Sequence, residues 1–368
     1  MSEDTDRPDH PSRAGVSRRG VLLGLAAVGG IAAADVGGFV YARGWLTPDS
    51  LTPSRFADRF EQVAGKHEGF RRNHAKGLSS SGYFTSNGAG AEVSEAEVFR
   101  PGRIPLTGRF SLSGGLPHAA DENSTVRGLG LLFTLPNGEQ WRTAMVNIPV
   151  FLDSTPEGFY ERMLEFKPVA GTGKPDPAKK AAFLAKHPET KAAMKIVEQH
   201  PPTSGFDNST FHGLNAFGFT NSAGDTAAVR WTLVPEQPVE PASKAHPPGR
   251  DFLFDALIRR VADAPVRWRL VLTIGAPGDP TDDATKPWPA DRRTIDVGTV
   301  TIDSVQTEES GNARDINFDP LVLPVGISAL DDPLPRARSA VYARSFERRS
   351  GESKQPSEVT VKRVLDDR

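Results

Sequence analysis

The sequence predicts an α+β protein built on an antiparallel sheet, or on a barrel made by closing that sheet, with helices on its outside. Short β-rich runs separated by turns fill residues 80–150 and recur from 211 to 302, and helical patterns are inserted between them. Strands in hairpin order with helices between them favour antiparallel pairing. The chain also contains 35 glycines and 31 prolines, which suits a loop-rich β architecture better than a helix bundle.

The first predicted element of the folded region is a short amphipathic helix. Thr52 is suited to the N-cap and Pro53 to the first helical position. Apolar side chains then recur at helical spacing, at Phe56, Phe60 and Val63. One side of this helix is therefore expected to be buried.

The sheet is predicted from a series of apolar and β-branched runs bounded by turn residues. They lie at 82–84, 96–99, 108–111, 129–133, 143–146, 211–219, 227–234, 266–274 and 295–302. Pro136-Asn137-Gly138 is typical of a hairpin turn between two of these runs. Helices are predicted over about 175–199, where Ala, Lys and Glu dominate, and over about 252–262.

Composition excludes several classes of function. The 368 residues carry a formal net charge of −2. The chain therefore has no excess of positive charge to bind nucleic acid, and no such partner is expected. The chain has no cysteine, which excludes disulfides, thiolate nucleophiles, iron–sulfur clusters and thiolate-ligated haem. Its chemistry must use His, Tyr, Arg, Asn, Ser or carboxylates, with or without a cofactor.

The N-terminal segment has the pattern of a targeting signal. Ser17-Arg18-Arg19 stands directly before Gly20–Ala34, an uncharged stretch that is shorter than the roughly 20 apolar residues of a spanning helix. This pattern resembles a twin-arginine export signal. An uncleaved anchor is the alternative, because apolar residues resume beyond Asp35. We expect an export signal over 1–34 and a linker over 35–48.

The rest of the chain is expected to form one large domain over 49–350 and a polar C-terminal tail over 351–368. The export machinery is an expected partner, and the destination would be the periplasm or the outside of the cell. Because twin-arginine substrates are exported already folded, this signal is a first indication of a bound cofactor.

Several short segments resemble, in order and spacing, those that form the haem site of haem catalases. They are Arg71–Gly77 followed by Ser80–Phe84, then Gly108–Ser111, Asn147–Phe151 and Arg338–Tyr342. The resemblance covers roughly 50–350. The short chain favours the small, exported catalase-related peroxidases, and implies a catalase-like barrel of about eight strands without the catalase C-terminal helical domain.

The resemblance implies that Tyr342 is the ligand of the haem iron. A free tyrosine titrates near pH 10, so its phenolate needs stabilisation to serve as a ligand at neutral pH. Arg338 lies four residues earlier and shares a helical face with Tyr342, which places an always-charged group beside that oxygen. Taken alone, the pair is more typical of a helix surface, and only the upstream motifs reverse that interpretation.

On the other side of the haem, the resemblance implies three residues that act on peroxide. His74 would move a proton from one peroxide oxygen to the other, which is a task for an imidazole. Asn147 would donate a hydrogen bond to the peroxide, and Ser111 would orient the His74 ring. Without the resemblance, Asn147 would be interpreted as a turn residue and Ser111 as an ordinary strand hydroxyl.

The cofactor implied is haem b. Arg71, Arg109 and Arg349 are expected to neutralise its carboxylates, because buried carboxylates need cationic partners. Phe151 is expected to pack near the porphyrin, although a core aromatic is an equally ordinary role for it. No NADPH site is implied by the motifs.

Two departures from the catalase pattern bear on activity. Polar Asn73 precedes His74, where catalases have an apolar residue, and Val126-Arg127-Gly128 lacks the acid found in the catalase channel. We therefore expect a peroxidase that reduces hydrogen peroxide or organic hydroperoxides with a small organic electron donor, and that has weak or no catalase activity.

Two other functions remain open at the level of sequence. One is a hydroperoxide isomerase similar to allene oxide synthase, which would consume no reductant. The other is a barrel that binds haem or another apolar ligand without turnover. The electron donor, the preferred peroxide and the existence of a homo-oligomer are not determined by the sequence.

Overall fold

Ten strands form one antiparallel sheet that closes on itself. The structure, a computed structural model, describes residues 51–242 and 249–367, with Asn123 described by its backbone alone. The export signal and linker predicted over 1–48 lie outside these ranges. The strands are β1 (Gly77–Ser86), β2 (Gly102–Leu112), β3 (Arg127–Thr134), β4 (Gln140–Val146), β5 (Phe211–His212), β6 (Phe217–Thr220), β7 (Thr226–Pro235), β8 (Val266–Ile274), β9 (Thr294–Gln306) and β10 (Ile327–Ala329).

Eight of these strands make a closed barrel. The order β8-β9-β1-β2-β3-β4-β5-β7 is completed by pairing of β7 with β8, and each neighbouring pair is antiparallel. β6 extends the same edge of β7 that β5 occupies, and β10 pairs with β6. The predicted antiparallel barrel is confirmed.

The described ranges contain seven α-helices, none of them long and apolar enough to cross a membrane. They are α1 (Pro53–Ala64), α2 (Pro156–Glu165), α3 (Pro177–Lys186), α4 (Pro188–Glu198), α5 (Phe252–Asp263), α6 (Pro333–Ser350) and α7 (Val361–Asp366). The predicted helices near 52–66 and 252–262 correspond to α1 and α5. The sequence analysis did not predict α2. Thr155 caps this helix by accepting a hydrogen bond from the Gly158 amide at 3.1 Å.

Local chemistry explains where the predicted elements are wrong. The predicted helix over 175–199 is two helices, because Pro188 has no N–H to continue α3 and instead begins α4. The predicted strand at 211–219 is interrupted around Leu214, whose φ of 55° leaves the extended region. The run predicted as a strand at 96–99 forms a 3₁₀ turn over Glu97–Phe99.

Part of the C-terminal segment, predicted as a polar tail over 351–368, packs against the rest of the protein. Val359 and Val364 are fully buried and belong to the main hydrophobic core. Arg363 donates a hydrogen bond to Asp255 of α5 at 2.8 Å. Two buried valines and the ion pairs of Arg363 with Asp255 and Asp251 thus hold this segment against the core and α5.

The two faces of β3 separate the core from the candidate site. Leu129, Leu131 and Phe133 point into the main core. Because side chains alternate along a strand, Gly128 and Gly130 lie on the opposite face. Gly128 pairs with Ser111 and Val146, and Gly130 pairs with Arg109 and Ala144. Two rows of mainly small residues therefore cross the outside of the barrel.

A buried ion cluster fixes the start of β1 against α5. The Nζ atom of Lys76 donates to Asp121 at 2.6 Å and to the carbonyl of Ala119 at 2.7 Å, and it also contacts Asp251. The Lys76 and Asp121 side chains are 2% and 0% exposed. Breaking such a buried pair leaves charge without a partner. Lys76, which belongs to the His74-containing motif, therefore has a structural role.

We predict that Lys76→Met lowers the free energy of unfolding by about 3–5 kcal/mol, because two buried carboxylates lose their shared cation. Urea unfolding followed by circular dichroism measures the change. Lys362→Met is the matched control, since Lys362 pairs with Asp366 at an exposed i,i+4 position, where ion pairs contribute little. Equal losses in the two variants would contradict a structural role for the cluster.

Candidate active site

A cavity of roughly 470 Å³ lies against the small-residue rows of β2, β3 and β4. Its other walls come from α1, α2 and α6 and from the segment around Phe318. Most of the exposed surface of the cavity is apolar, and the polar side chains on its wall include His74, Tyr342 and several arginines. A concave, apolar site with a few converging polar groups is the usual form of a cofactor or ligand pocket.

Helix α6 supplies one wall through a single stripe of side chains. Arg338, Tyr342 and Arg349 all line the cavity. They stand at relative positions 0, 4 and 11, which are close to whole turns of an α-helix. Helical periodicity therefore brings all three predicted residues to one place.

Arg338 is held in position beside Tyr342 by a chain of hydrogen bonds. It donates to Asn215 Oδ1 at 2.9 Å, to the carbonyl of Ala144 at 3.2 Å and to the Tyr342 hydroxyl at 3.4 Å. Asn215 in turn donates to Asp332 at 2.8 Å. The guanidinium group is thus oriented before any ligand binds, and its charge is directed at the phenolic oxygen.

His74 is held at the cavity wall by the strand residues behind it. Its Nδ1 atom lies 3.1 Å from Ser111 Oγ, which agrees with the predicted orienting role of Ser111. A Cβ atom at Gly128 would lie 3.1 Å from two atoms of the His74 ring, so the ring position depends on glycine there. His74 has a φ of 54°, a left-handed conformation that is unusual for a residue with a side chain.

The surroundings of His74 favour its neutral form. Burial, followed by the charges of Arg109, Arg338 and Arg71, lowers the pKa of His74 to about 3. The imidazole is therefore uncharged at neutral pH. A neutral imidazole with one ring nitrogen fixed by Ser111 can accept a proton at the other nitrogen.

Arg71 and Arg349 form a cationic end of the cavity. Arg71 donates through one nitrogen to the carbonyls of Ala313, Arg314 and Ile316, and Arg349 donates to the last two. The Nε atom of Arg71 is buried without a hydrogen-bond partner in the described part of the chain. Burial, then repulsion from Arg109 and Arg349, lowers the pKa of Arg71 well below its ordinary value. Such a site favours an anion.

Arg109 also lines the cavity, but its hydrogen-bonding groups are engaged within the protein. Its Nε and Nη2 atoms donate to Glu308 at 2.6 and 2.9 Å. Nη1 donates to the carbonyl of His74 at 2.8 Å, and Nη2 to that of Ala75 at 3.3 Å. Four of the five N–H groups of an arginine are thereby used.

Of the two remaining predicted residues, Phe151 lines the cavity and Asn147 does not. Phe151 lines the cavity and packs against Phe159, with ring centroids 5.7 Å apart. Asn147 is not among the lining residues: its Oδ1 accepts from the Arg127 amide at 2.8 Å, and its Nδ2 donates to the Thr125 carbonyl at 3.1 Å. One N–H of the Asn147 Nδ2 atom makes no further hydrogen bond in the described chain, and the contact of Asn147 with peroxide stays a prediction.

The residues at the cavity fit a haem. The hydroxyl of Tyr342 and the ring of His74 both face the space, and Gly128, Gly130 and the apolar side chains leave a surface suited to a flat aromatic group. A Cβ atom at Gly130 would lie 2.9 Å from the Phe318 ring. The unpartnered Nε of Arg71 is a donor for a carboxylate. Tyrosine is an established ligand of haem iron.

Sequence reasoning missed Asn215, Asp332, Glu308 and Phe318 as site residues. Only Asp332 has a local signal, since an Asp before Pro333 is typical of a helix N-cap. Asp332 accepts a hydrogen bond from the Leu334 amide at 2.8 Å and so does cap α6. The others come from distant segments that the barrel closure brings together.

Comparison with known proteins agrees with this geometry. The family model for Catalase matches residues 54–361. A catalase-related peroxidase of Synechococcus elongatus is 40% identical over 303 residues, covering 82% of this chain and 89% of that protein. One of Mycolicibacterium paratuberculosis is 33% identical over 304 residues, covering 82% of this chain and 96% of that protein.

Solved structures show the same fold. A bacterial catalase superposes with a TM-score of 0.67 at 21% identity, covering 78% of this chain and 58% of the catalase. A fungal catalase superposes equally well, with 20% identity and 60% of its chain covered. The chain thus spans less than two thirds of the length of these catalases. With a family match over most of the chain and a barrel of the same form, the protein belongs to the catalase family, whose members depend on haem.

Proposed function

We propose that the protein is a haem peroxidase, which reduces hydrogen peroxide or organic hydroperoxides with electrons from an external donor. Membership of the catalase family and similarity to catalase-related peroxidases support an oxidoreductase that acts on peroxide. The observation that carries the proposal is that two pairs of residues line the same cavity. One pair is Tyr342 with Arg338, and the other is His74 with Ser111.

The residues that would hold haem b are distributed around this cavity. Tyr342 would bind the iron, Arg71 and Arg349 would pair with the haem carboxylates, and Phe151 would pack on the ring. When bound, the haem supplies the redox-active iron at which the peroxide bond breaks. Arg338 is fixed by Asn215 and is placed to neutralise a phenolate charge on Tyr342.

His74 performs the proton transfers of this proposal. With its Nδ1–H donating to Ser111 Oγ, the Nε2 atom is a free base that accepts a proton from the incoming peroxide. His74 then returns that proton to the departing oxygen, so the histidine is neutral again at the end. The low pKa of His74 keeps its ring unprotonated at neutral pH.

The walls of the cavity favour organic hydroperoxides over a dedicated catalase reaction. Phe60 of α1, Phe159 and Met163 of α2, and Phe166 directly after α2 give the side away from the strands an apolar surface, beside the charged Arg162 and Lys167. This surface is apolar and suits an alkyl or aryl substituent. The proposal of weak catalase activity rests on the sequence departures at Asn73 and at Val126-Arg127-Gly128.

The test of the proposal compares the wild-type protein with Tyr342→Phe after expression with added haem. We expect the wild type to show a high-spin ferric absorption spectrum and to oxidise a chromogenic donor when cumene hydroperoxide is added. Tyr342→Phe should lose most of its bound haem, because phenylalanine offers no oxygen to iron. Haem content by pyridine haemochrome and absorption spectroscopy give the readout.

Tyr83→Phe is the matched control. Tyr83 of β1 packs under Arg103 of β2 and does not line the cavity. An unchanged iron spectrum in Tyr342→Phe would remove the ligand assignment. Loss of hydroperoxide without oxidation of the donor would indicate an isomerase instead. Bound haem that does not react with peroxide would indicate a binding protein.

We predict that His74→Gln keeps its haem but lowers kcat/KM for peroxide by about 10²–10⁴-fold, because the proton acceptor is lost. In the wild type, kcat/KM should show no decline from protonation of His74 between pH 5 and 8. The pKa of about 3 means that His74 is protonated only when the pH falls toward that value. Steady-state kinetics across this range provide the measurement.

His118→Gln serves as the control, because His118 pairs with Glu358 at the surface, away from the cavity. A full rate in His74→Gln would exclude the proposed base. A titration near pH 6.5 that disappears in His74→Gln would contradict the lowered pKa.

We also propose that the protein is exported by the twin-arginine route, on the basis of Ser17-Arg18-Arg19 and the uncharged stretch that follows. Replacing Arg18 and Arg19 together by lysine should retain the protein in the cytoplasm, as measured by cell fractionation. Replacing Arg7 and Arg13 by lysine preserves the same charges and should leave export unchanged. Equal export of both double variants would argue against the route.

A further inference from the structure

Asn73 is a polar residue on the cavity wall that the proposed mechanism does not use. It stands directly before His74, where catalases have an apolar residue, and both residues line the cavity. In an extended segment, neighbouring side chains point to opposite sides. The φ of 54° at His74 breaks this alternation, so two consecutive side chains can face the same space. The sequence departure at Asn73 therefore lies at the site of the proposed chemistry.

The side-chain oxygen of Asn73 is bound by the loop that follows β2. The Gly114 amide donates to Asn73 Oδ1 at 2.9 Å. Gly114 has a φ of 108°, a conformation that favours glycine. A Cβ atom at Gly115 would lie 2.7 Å from the carbonyl oxygen of Arg72, so the loop lies directly against the backbone that leads to Asn73. Because the Gly114 amide is a donor, the oxygen of the Asn73 side chain must face it.

The nitrogen of the same side chain has no partner within the described protein. Nδ2 of Asn73 donates to no acceptor in residues 51–242 and 249–367, and the atom is accessible to solvent. The amide group is planar, so binding of its oxygen to Gly114 leaves Nδ2 on another side of the group. Since Asn73 lines the cavity, its two N–H groups are available to a molecule in that space.

Two hydroxyl groups at the end of β2 also line the cavity, but both are already paired. Ser111 Oγ lies 3.1 Å from His74 Nδ1, and Ser113 Oγ lies 3.1 Å from Ser124 Oγ. With Nδ1–H donating to Ser111, the Nε2 atom of His74 accepts a proton and cannot donate one. Of these side chains, Asn73 is the one whose donor is not engaged, and it carries no charge that changes with pH.

We propose that Asn73 is a catalytic residue, whose Nδ2 atom donates a hydrogen bond to the peroxide oxygen that gives its proton to His74. As that proton leaves, negative charge develops on the oxygen, and a preorganised N–H donor stabilises such charge. Gly114 supplies the preorganisation, because it holds the other end of the amide. This role rests on the proposed peroxidase function, and it is separate from the role predicted for Asn147.

The position of His74 does not depend on the Asn73 side chain in this proposal. The carbonyl of His74 accepts from Arg109 at 2.8 Å, and the following amide, of Ala75, donates to the Gly114 carbonyl at 3.0 Å. The ring is held by Ser111. These contacts remain when the Asn73 side chain is replaced, so a variant at this position separates the hydrogen-bond donor from the base.

The test is Asn73→Leu, which has nearly the same size but no hydrogen-bonding group. Haem content should stay close to wild type, because Asn73 is not among the residues proposed to hold the cofactor. The value of kcat/KM for cumene hydroperoxide should fall by about 10²-fold, the size of effect found when one such donor is removed. Pyridine haemochrome and steady-state kinetics give these two readouts.

Binding of fluoride gives a readout that does not depend on activity. Fluoride binds ferric haem iron without reacting, and as an anion it accepts hydrogen bonds from nearby donors. We expect its Kd to rise by about 10-fold or more in Asn73→Leu, as for the loss of one hydrogen bond to a charged group. An absorption titration of the haem-loaded proteins measures the change.

A crystal structure of haem-free Asn73→Leu shows whether the base has moved. We expect the distance from His74 Nδ1 to Ser111 Oγ to stay within hydrogen-bonding range. If this contact is lost, the fall in rate comes from a misplaced base, and the donor role is overturned.

Asn73→Asp separates the two ends of the amide. Aspartate keeps an oxygen for the Gly114 amide but, when ionised, has no N–H to donate. At pH 7 it should therefore lose as much of kcat/KM as Asn73→Leu, and it carries the test alone if the leucine variant does not fold. A wild-type value in Asn73→Asp would overturn the proposal, because the bond to Gly114 would then be sufficient.

Asn87→Leu is the matched control. Asn87 is exposed just after β1 and away from the cavity, and its Oδ1 accepts from the Ala89 amide at the same distance of 2.9 Å. Its replacement removes a comparable bond between a side chain and a loop. It should leave haem content, the Kd for fluoride and kcat/KM unchanged.

The wild type distinguishes failure of this proposal from failure of the proposed function. Wild-type values of both the Kd for fluoride and kcat/KM in Asn73→Leu would overturn the donor role and leave the peroxidase proposal standing. A wild-type protein that binds no haem, or that binds haem without reacting with peroxide, would overturn the peroxidase proposal and the donor role with it.

Discussion

The burial of several guanidinium groups around one cavity is the constraint on which the site depends. Arg71, Arg109, Arg338 and Arg349 cannot be hydrated as they would be at the surface, so each must find acceptors in the protein. Backbone carbonyls at Ala313–Ile316 serve two of them. Side-chain acceptors serve Arg338 and Arg109. Arg71 keeps a buried Nε atom without a partner in the described part of the chain and so offers a donor to an anionic ligand, whereas Arg338 is oriented toward Tyr342.

The barrel contributes to this site mainly through glycines, whose missing side chains leave room for the cavity. On β3, Leu129 and Leu131 enter the core, while Gly128 and Gly130 face the cavity. Alternation along the strand thus lets one element fill the interior and leave an open surface outside. Side chains that approach this surface, such as Phe318 at Gly130, come from loops and from α6. The strands therefore form one rigid wall of the cavity, and the loops and α6 supply many of its functional groups, as in many binding sites.

Much of the fold and part of the site followed from the sequence. Runs such as 266–274 predicted β8 at its observed ends because alternation is a local property. Helical spacing likewise placed Arg338 and Tyr342 together. The hydrogen-bond partners of Asn147 and Arg109, and the interruption at Leu214, did not follow in the same way. Their environments depend on partners far along the chain, such as Glu308, which lies 199 residues from Arg109. No local pattern encodes such a pairing, and a motif gives a residue's identity without the groups that compete for it.

The cap of α6 has a consequence for how the site is aligned. One oxygen of Asp332 accepts the Leu334 amide that begins the helix, and the other accepts the Asn215 amide that orients Arg338. A residue added between the cap and Arg338 would turn the remainder of the helix by about 100°. Tyr342 and Arg338 would then both leave the cavity wall. The number of residues from Asp332 to Tyr342 therefore matters as much as their identities, because it sets the direction in which the candidate metal ligand points.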